Sequence, residues 1–289
     1  MNILVSGGLG FIGHEVVGLL KDHNVMSIDS MTNYDFIPQE QMTRLFELRE
    51  SEVVNKQIDI RNQKDVNDVF DEFKPDVVIH LASYPRQKVV LENPRIASEV
   101  MSTGLINLLE ASKKTVSKFV YVSSSMVYGD FDDLVDETEQ CRPRGQYAIM
   151  KYMGEKLVED YSKHFDYTII RPSAVYGPRD VEDRVLSKFV IGALNNDTLS
   201  VRGADEVLDF TYVTDTAQGI ALASTKDCKH SIYNVTRCEL LPITLAQAAT
   251  TVINIVGRGS WLEYGKDPNF PSRGRLSIAR ARTDLGYEP

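Results

Sequence analysis

At 289 residues with 43% hydrophobic content, the chain is long enough to bury a large core, as one big domain or as a main domain with a smaller lobe. A formal charge of -9 and a pI near 5.2 argue against nucleic acid or an anionic membrane as a partner. Three scattered cysteines (Cys141, Cys228, Cys238) exclude a disulfide framework, and five dispersed histidines offer no ligand spacing, so no metal site is expected.

The odd cysteine count suits a reducing compartment, and no apolar run approaches the roughly 20 residues needed to span a bilayer. The N-terminus enters a strand pattern without a basic leader, so the expected location is cytoplasmic.

Met1 to Ser6 form a short β-type run, followed at once by Gly7-Gly8-Leu9-Gly10-Phe11-Ile12-Gly13 and a helical run from His14 to Lys21. Strand, glycine turn and helix open a dinucleotide-binding unit, in which the glycines bring backbone close to a pyrophosphate at the helix N-terminus. The next strand, Asn24 to Ile28, ends in Asp29, 19 residues beyond Gly10. A carboxylate there accepts hydrogen bonds from a ribose diol and repels a 2′-phosphate, which favours NAD over NADP.

Alternation continues with a helix around Gln39 to Glu50, a strand Val53 to Ile60, a helix Lys64 to Phe73 and a strand Val77 to Leu81. A long helix from about Pro94 to Lys114 and a strand Lys118 to Ser123 follow. The pattern predicts α/β architecture with a doubly wound parallel sheet of Rossmann type. Asp59 and Ile60 are expected to bracket the adenine, His80 reads as a satisfied core histidine, and the acidic stretch Asp130 to Glu139 as a solvated loop.

Tyr147 and Lys151, four apart, share one helix face. At roughly 5 Å and an effective dielectric of about 20, an ammonium stabilises a phenolate by roughly 3 kcal/mol, or about two pKa units. Tyr84/Lys88 and Tyr152/Lys156 have the same spacing, so spacing alone does not choose among the three.

The blocks Gly7-Gly8-x-Gly10-Phe11-Ile12-Gly13, His80-Leu81-Ala82, Ser123-Ser124-Ser125-Met126-Val127-Tyr128-Gly129, Tyr147-x-x-x-Lys151-x-x-x-Glu155, Arg171-Pro172-x-x-Val175-Tyr176-Gly177-Pro178-Arg179, Asp209-Phe210-x-Tyr212-Val213-x-Asp215 and Leu285-Gly286-Tyr287-Glu288-Pro289 run in order along the chain. Together they resemble the extended short-chain dehydrogenase/reductases, and within them the NAD-dependent sugar-nucleotide epimerases and dehydratases of the UDP-glucose 4-epimerase type. The resemblance selects Tyr147 as catalytic base, Ser124 as its hydrogen-bonding partner and Lys151 as the group that lowers the phenol pKa. It implies an NAD site at Gly7, Gly10, Phe11, Ile12, Gly13, Asp29, Asp59, Ile60, Leu81, Ala82, Ser83, Tyr147 and Lys151.

It also implies a Rossmann domain over residues 1–172 and a mainly substrate-binding lobe over 173–289, with some segments returning to the first domain. The helix Asp183 to Leu194, the short strand Leu199 to Arg202, the strand Ile232 to Val235 and the helix Ile243 to Val256 are read into that smaller α/β lobe. A homodimer is expected, with the long helix and the Tyr147 helix pairing as a four-helix bundle. The implied reaction is epimerisation of a nucleotide sugar by transient oxidation, at C4 in most of the family. A dehydratase or reductase of the same family, or a non-catalytic NAD sensor, are the alternatives.

Some positions depart from the family. The Asp-Glu pair that follows the catalytic Ser/Thr in dehydratases is here Ser125-Met126, and methionine transfers no proton. Leu208 replaces the arginine that contacts the diphosphate, Ala174 an asparagine, and Glu99 another asparagine. Substrate contacts are therefore assigned to Ser124, Ser125, Arg86, Arg179 and Arg273, with Arg202 and Arg275 as further cations and Arg86 as the reader of an anionic or otherwise atypical substrate.

Overall fold

Apolar runs of four to seven residues supply the strands of one parallel sheet, buried on both faces because helices cover each side. The computed structural model describes residues 1–32, 37–49, 54–131, 133–238, 243–268 and 270–289. The expected ends of two elements, Glu50 and Val53, and Asp132 in the acidic stretch, lie outside these residues.

The strands are β1 (Asn2–Ser6), β2 (Asn24–Asp29), β3 (Val54–Gln57), β4 (Val77–His80), β5 (Lys118–Val122) and β6 (Asp166–Pro172). They lie in the order β3-β2-β1-β4-β5-β6, and the strand Ile232–Val235 pairs with β6 at the far edge. The order reverses between β1 and β4, and a crevice opens beyond the carboxyl ends of the strands at such a switch point.

One face is covered by the helices Gly13–Leu19 and Val213–Thr225 and by the C-terminal segment carrying Ile278, Leu285 and Tyr287. The other is covered by the helices Gln63–Phe73, Leu105–Ser112 and Gln146–Asp160. Asn62 caps the first of these, its side-chain oxygen accepting the amides of Lys64 and Asp65. His80 is a satisfied core histidine: it exchanges a 2.7 Å hydrogen bond with Ser6 Oγ, and burial lowers its pKa to about 3.

Two expectations are corrected and a third is extended. The strand Ile232–Val235 belongs to the central sheet and not to the lobe, because its register on β6 buries Tyr233, Asn234 and Val235. The long helix is interrupted: Pro94–Ser98 and Leu105–Ser112 flank a π-helical turn at Glu99–Gly104. Ile60 packs into this turn against Gly104, where a Cβ would lie 2.6 Å from Ile60 Cδ1.

The acidic stretch is a surface loop with Asp130, Asp133, Asp136 and Glu139 exposed, as expected, but it is also a strap. Phe131 and Val135 donate backbone hydrogen bonds to the carbonyls of Ser272 and Arg275, and buried Glu137 accepts the Asn234 amide. The sequence pattern counted its carboxylates without seeing the backbone groups they and their neighbours satisfy.

The lobe proper is a small second core around Phe189, Leu199, Val201 and Ala249. It joins the helices Val185–Leu194 and Leu245–Val256 to the parallel strands Thr198–Arg202 and Ser260–Tyr264. The second helix begins in a Thr244/Gln247 capping box and ends at Gly257 in the left-handed conformation. Among the described residues no helix is long and apolar enough to cross a membrane.

A buried ion pair ties the sheet to the helix Gln146–Asp160. Glu155 accepts Arg171 Nε at 2.9 Å and Nη2 at 2.7 Å, and Ser123 Oγ donates to the same carboxylate at 2.5 Å. Burial opposes the Arg171 charge, but the Glu155 hydrogen bonds and charge outweigh it and hold the guanidinium pKa above its ordinary value. Glu155→Ala strands that guanidinium in the core, and is expected to lower the unfolding free energy by about 3–5 kcal/mol in a urea titration.

Candidate active site

The residues assigned to NAD line one cavity of about 960 Å³ that runs from the glycine turn to Tyr147 and on to the lobe. Gly7 adopts φ +78°, and a Cβ there would stand 2.6 Å from the Ala82 amide nitrogen. At Gly13 a Cβ would stand 2.0 Å from the Gly7 carbonyl oxygen, so the turn closes only with glycine at these positions.

Asp29, at the end of β2, holds the turn in place by accepting the Leu9 amide at 3.1 Å and the Met31 amide at 2.8 Å. Burial raises its pKa, while the two amides and the nearby Arg49 charge oppose that shift. Asp59 and Ile60 border the same end of the cavity. Arg61 grips the Asp59 carboxylate and reaches Glu99 at 3.3 Å, so Glu99, which replaces a family asparagine, closes a surface ion network. That hydrogen bonding from Arg61 keeps the Asp59 pKa below the usual carboxylate range. Leu81, Ala82 and Ser83 follow β4 along the cavity floor.

Further along the cavity, Ser124 stands in extended conformation as the cap of the short helix Ser125–Tyr128, its Oγ accepting the Met126 amide at 3.2 Å. Tyr147 lies in the first turn of the helix Gln146–Asp160, and Lys151 one turn on. The start of that helix is fixed by a residue the sequence reading passed over. Buried Gln87 accepts the Tyr147 amide through Oε1 at 3.0 Å, and Gly145, at φ +85°, leaves room for its side chain.

The Tyr147/Lys151 expectation needs correction. Burial raises the Tyr147 pKa, and the groups that oppose this are the Arg184 charge, the Ser124 hydroxyl and the Arg273 charge. Lys151 instead donates to the Val122 carbonyl at 2.8 Å and lies over the Tyr121 ring. Burial lowers its own pKa to about 7 despite the Glu155 charge. Helical spacing placed the two residues on one face, but a backbone carbonyl took the ammonium. Of the rival pairs, Tyr84 is buried near Tyr147, and Lys156 covers the Tyr152 ring away from the cavity.

The substrate assignments divide. Ser125, Arg273 and Arg86 line the cavity. Arg273 Nη1 donates to Ser125 Oγ at 3.3 Å. Arg86, expected to read an anionic substrate, is engaged by Asp183 at 3.1 Å. Arg179 lies outside the cavity lining, its guanidinium 4.0 Å from Glu15, and so does Arg275.

What Arg179 contributes is its carbonyl, which accepts from buried Arg49, itself also donating to the Leu9 carbonyl at 3.3 Å. Arg49 thus bolts the glycine turn to the loop that enters the lobe. Nothing in the sequence pattern marked it, because its partners are backbone atoms from two distant turns.

The fold and this cavity fit a dinucleotide on the strand side and a second ligand on the lobe side. Residues 3–236 match the family model of the NAD-dependent epimerase/dehydratase family. The chain is 31% identical, over 99% of its length and 90% of the relative's, to a UDP-glucuronate 4-epimerase from Thermodesulfobacterium geofontis. It is 28% identical, over 92% of its length and 79% of the relative's, to the dTDP-D-glucose 4,6-dehydratase of Homo sapiens. Its structure superposes with a TM-score of 0.89 on the UDP-glucuronic acid 4-epimerase from Bacillus cereus, solved in complex with UDP-glucuronic acid and NAD, at 27% identity and covering 100% of this chain and 94% of that one. Glycine turn, sheet order and sequence likeness together place the chain in the NAD-dependent epimerase/dehydratase family of nucleotide-sugar enzymes.

Proposed function

We propose that the protein is an NAD-dependent epimerase of a nucleotide-activated sugar, acting by transient oxidation at C4. The observation that carries this reading is the meeting of Ser124, Tyr147 and Lys151 on the wall of the cavity that also takes in the glycine turn and the lobe. NAD, when bound, supplies reversible two-electron oxidation of a sugar carbon.

Tyr147 accepts the proton of the sugar hydroxyl, and Ser124 hydrogen-bonds the same oxygen as its charge develops. The charges of Arg184 and Arg273 favour the phenolate against burial. Lys151 lines the same cavity and ties the Tyr147 helix to the Val122 carbonyl at the end of β5. The ring then presents its other face, and Tyr147 returns the proton.

Epimerisation is favoured over dehydration by the two residues after Ser124. Ser125 and Met126 are both buried, and neither is an acid able to expel water. Incubation of the protein with nucleotide sugars is expected to interconvert C4 epimers with no mass loss. A product lighter by one water sinks the assignment.

The Tyr147 helix and the interrupted long helix lie side by side and carry exposed Ile96, Ile106 and Ile149. This supports a homodimer through a four-helix bundle. Light scattering is expected to give twice the 32.5 kDa chain mass, and Ile149→Glu to give the monomer.

Tyr147→Phe is expected to keep NAD binding and lose about a thousandfold in turnover, measured with the epimer pair as substrate. Retained turnover excludes Tyr147 as the base.

Lys151 generates a pH prediction. Its pKa is about 7 in the folded chain against an ordinary 10.5, so between these values the unfolded chain binds the extra proton and stability rises with pH. Below about pH 7 the buried ammonium exerts its full destabilising effect. Lys151→Met therefore gains most over the parent protein at pH 6, with the advantage shrinking by pH 9, as read by urea unfolding at both values.

A further inference from the structure

Arg273 has the features of a side chain built to meet an anion. Its Nε is fully enclosed and has no hydrogen-bond partner, and no carboxylate among the described residues lies within ion-pair distance of it. The acidic group whose charge reaches it, Glu206, is taken by Lys266 at 3.1 Å and accepts from Ser272 Oγ at 3.3 Å. A guanidinium partly withdrawn from water, with its Nε enclosed and no counter-charge, is costly to the free protein, and the cost is recovered when a ligand supplies the charge.

Its placement is firm. Backbone hydrogen bonds from Phe131 to Ser272 and from Val135 to Arg275 clamp the chain on both sides of it, and Ser277 donates back to Val135 at 2.7 Å. The strap thus serves as the mount of this one side chain.

Its position selects the anion. Arg273 touches Ser125, the neighbour of Ser124, and its charge acts on Tyr147. Lining the same cavity as Tyr147 and bonded to the neighbour of Ser124, it stands on the side of the reacting hydroxyl. In a nucleotide sugar reacting at C4, the diphosphate leaves from C1 across the pyranose ring, whereas C6 hangs from C5, next to the reacting carbon. A guanidinium fork beside C4 reaches a group on C6, and a planar bidentate acceptor suits it. Arg86, the other cation expected to read an anion, is already engaged by Asp183.

We propose that Arg273, with the Ser125 hydroxyl, recognises a carboxylate at C6, so that the substrate is a nucleotide-linked hexuronic acid. This rests on the epimerase reading and names its substrate class. The carboxylate accepts from the Arg273 fork and from Ser125, and a neutral hexose leaves the guanidinium unpaired.

The test is calorimetry on NAD-loaded Tyr147→Phe protein, in which turnover is stopped. The probes are matched neutral and acidic pairs: UDP-glucose and UDP-glucuronate, UDP-galactose and UDP-galacturonate, GDP-mannose and GDP-mannuronate, dTDP-glucose and dTDP-glucuronate, together with the bare nucleoside diphosphates. The acidic member of at least one pair is expected to bind about 100-fold more tightly than its neutral partner. Adding Arg273→Gln should bring the two within about twofold, with the neutral sugar and the bare nucleotide unchanged. Arg273→Lys, which keeps the charge but not the fork, should retain part of the preference and covers the case in which the glutamine variant does not fold.

Equal or tighter binding of the neutral partners overturns the proposal and leaves the epimerase reading standing. So does a loss on Arg273→Gln shared equally by acidic sugar, neutral sugar and bare nucleotide, which assigns the side chain to the diphosphate. No binding of any nucleotide sugar removes both.

Discussion

The Glu155–Arg171 pair is the joint on which the reactive end of the molecule depends. It connects β6 to the helix that carries Tyr147 and Lys151, and through Ser123 it reaches the residue preceding Ser124. Arg171 also lies against the Tyr128 ring, whose hydroxyl donates to Asn234 on the edge strand. One buried carboxylate thus fixes the relative positions of the three side chains proposed for catalysis, which arrive from two separate elements. A buried pair of this kind adds little net stability over an apolar contact, and its contribution is to specify one arrangement.

Burial governs the electrostatics of the site. Desolvation raises the Tyr147 pKa and lowers that of Lys151, so each is pushed towards its neutral form. The positive charge that favours the phenolate comes from Arg184 and Arg273, both delivered by the second half of the chain. The reactive end is thereby made sensitive to the lobe: a movement of either arginine changes the basicity of a residue on the Rossmann side.

Arg49 provides the mechanical counterpart. Its guanidinium joins the carbonyl of Leu9 in the glycine turn to that of Arg179 at the entry to the lobe. The two halves of the cavity are therefore linked through backbone positions, where the substitution of a neighbouring side chain leaves the link intact.

The cofactor half was legible because its requirements are local. A strand, a turn that admits only glycine and an acid after the next strand occur within 29 residues, and each reports a backbone constraint that sequence records directly. The register proposed for Ser124, Tyr147 and Lys151 came instead from the ordered family blocks, because the same Tyr/Lys spacing occurs three times in the chain.

What Lys151 touches was not, because helical spacing fixes a face and leaves open which acceptor on β5 competes for the ammonium. The acidic surface loop also proved to be a strap, and Arg179 and Arg273, equal as arginines in the sequence, separated into an exposed cation and a half-buried one with its Nε enclosed.

The sequence by itself determined the fold and the dinucleotide turn, and it put forward the register proposed for catalysis. Tertiary structure decided the charges and the substrate side, since desolvation and pairing depend on what distant segments bring within a few ångströms, and no spacing along the chain encodes that.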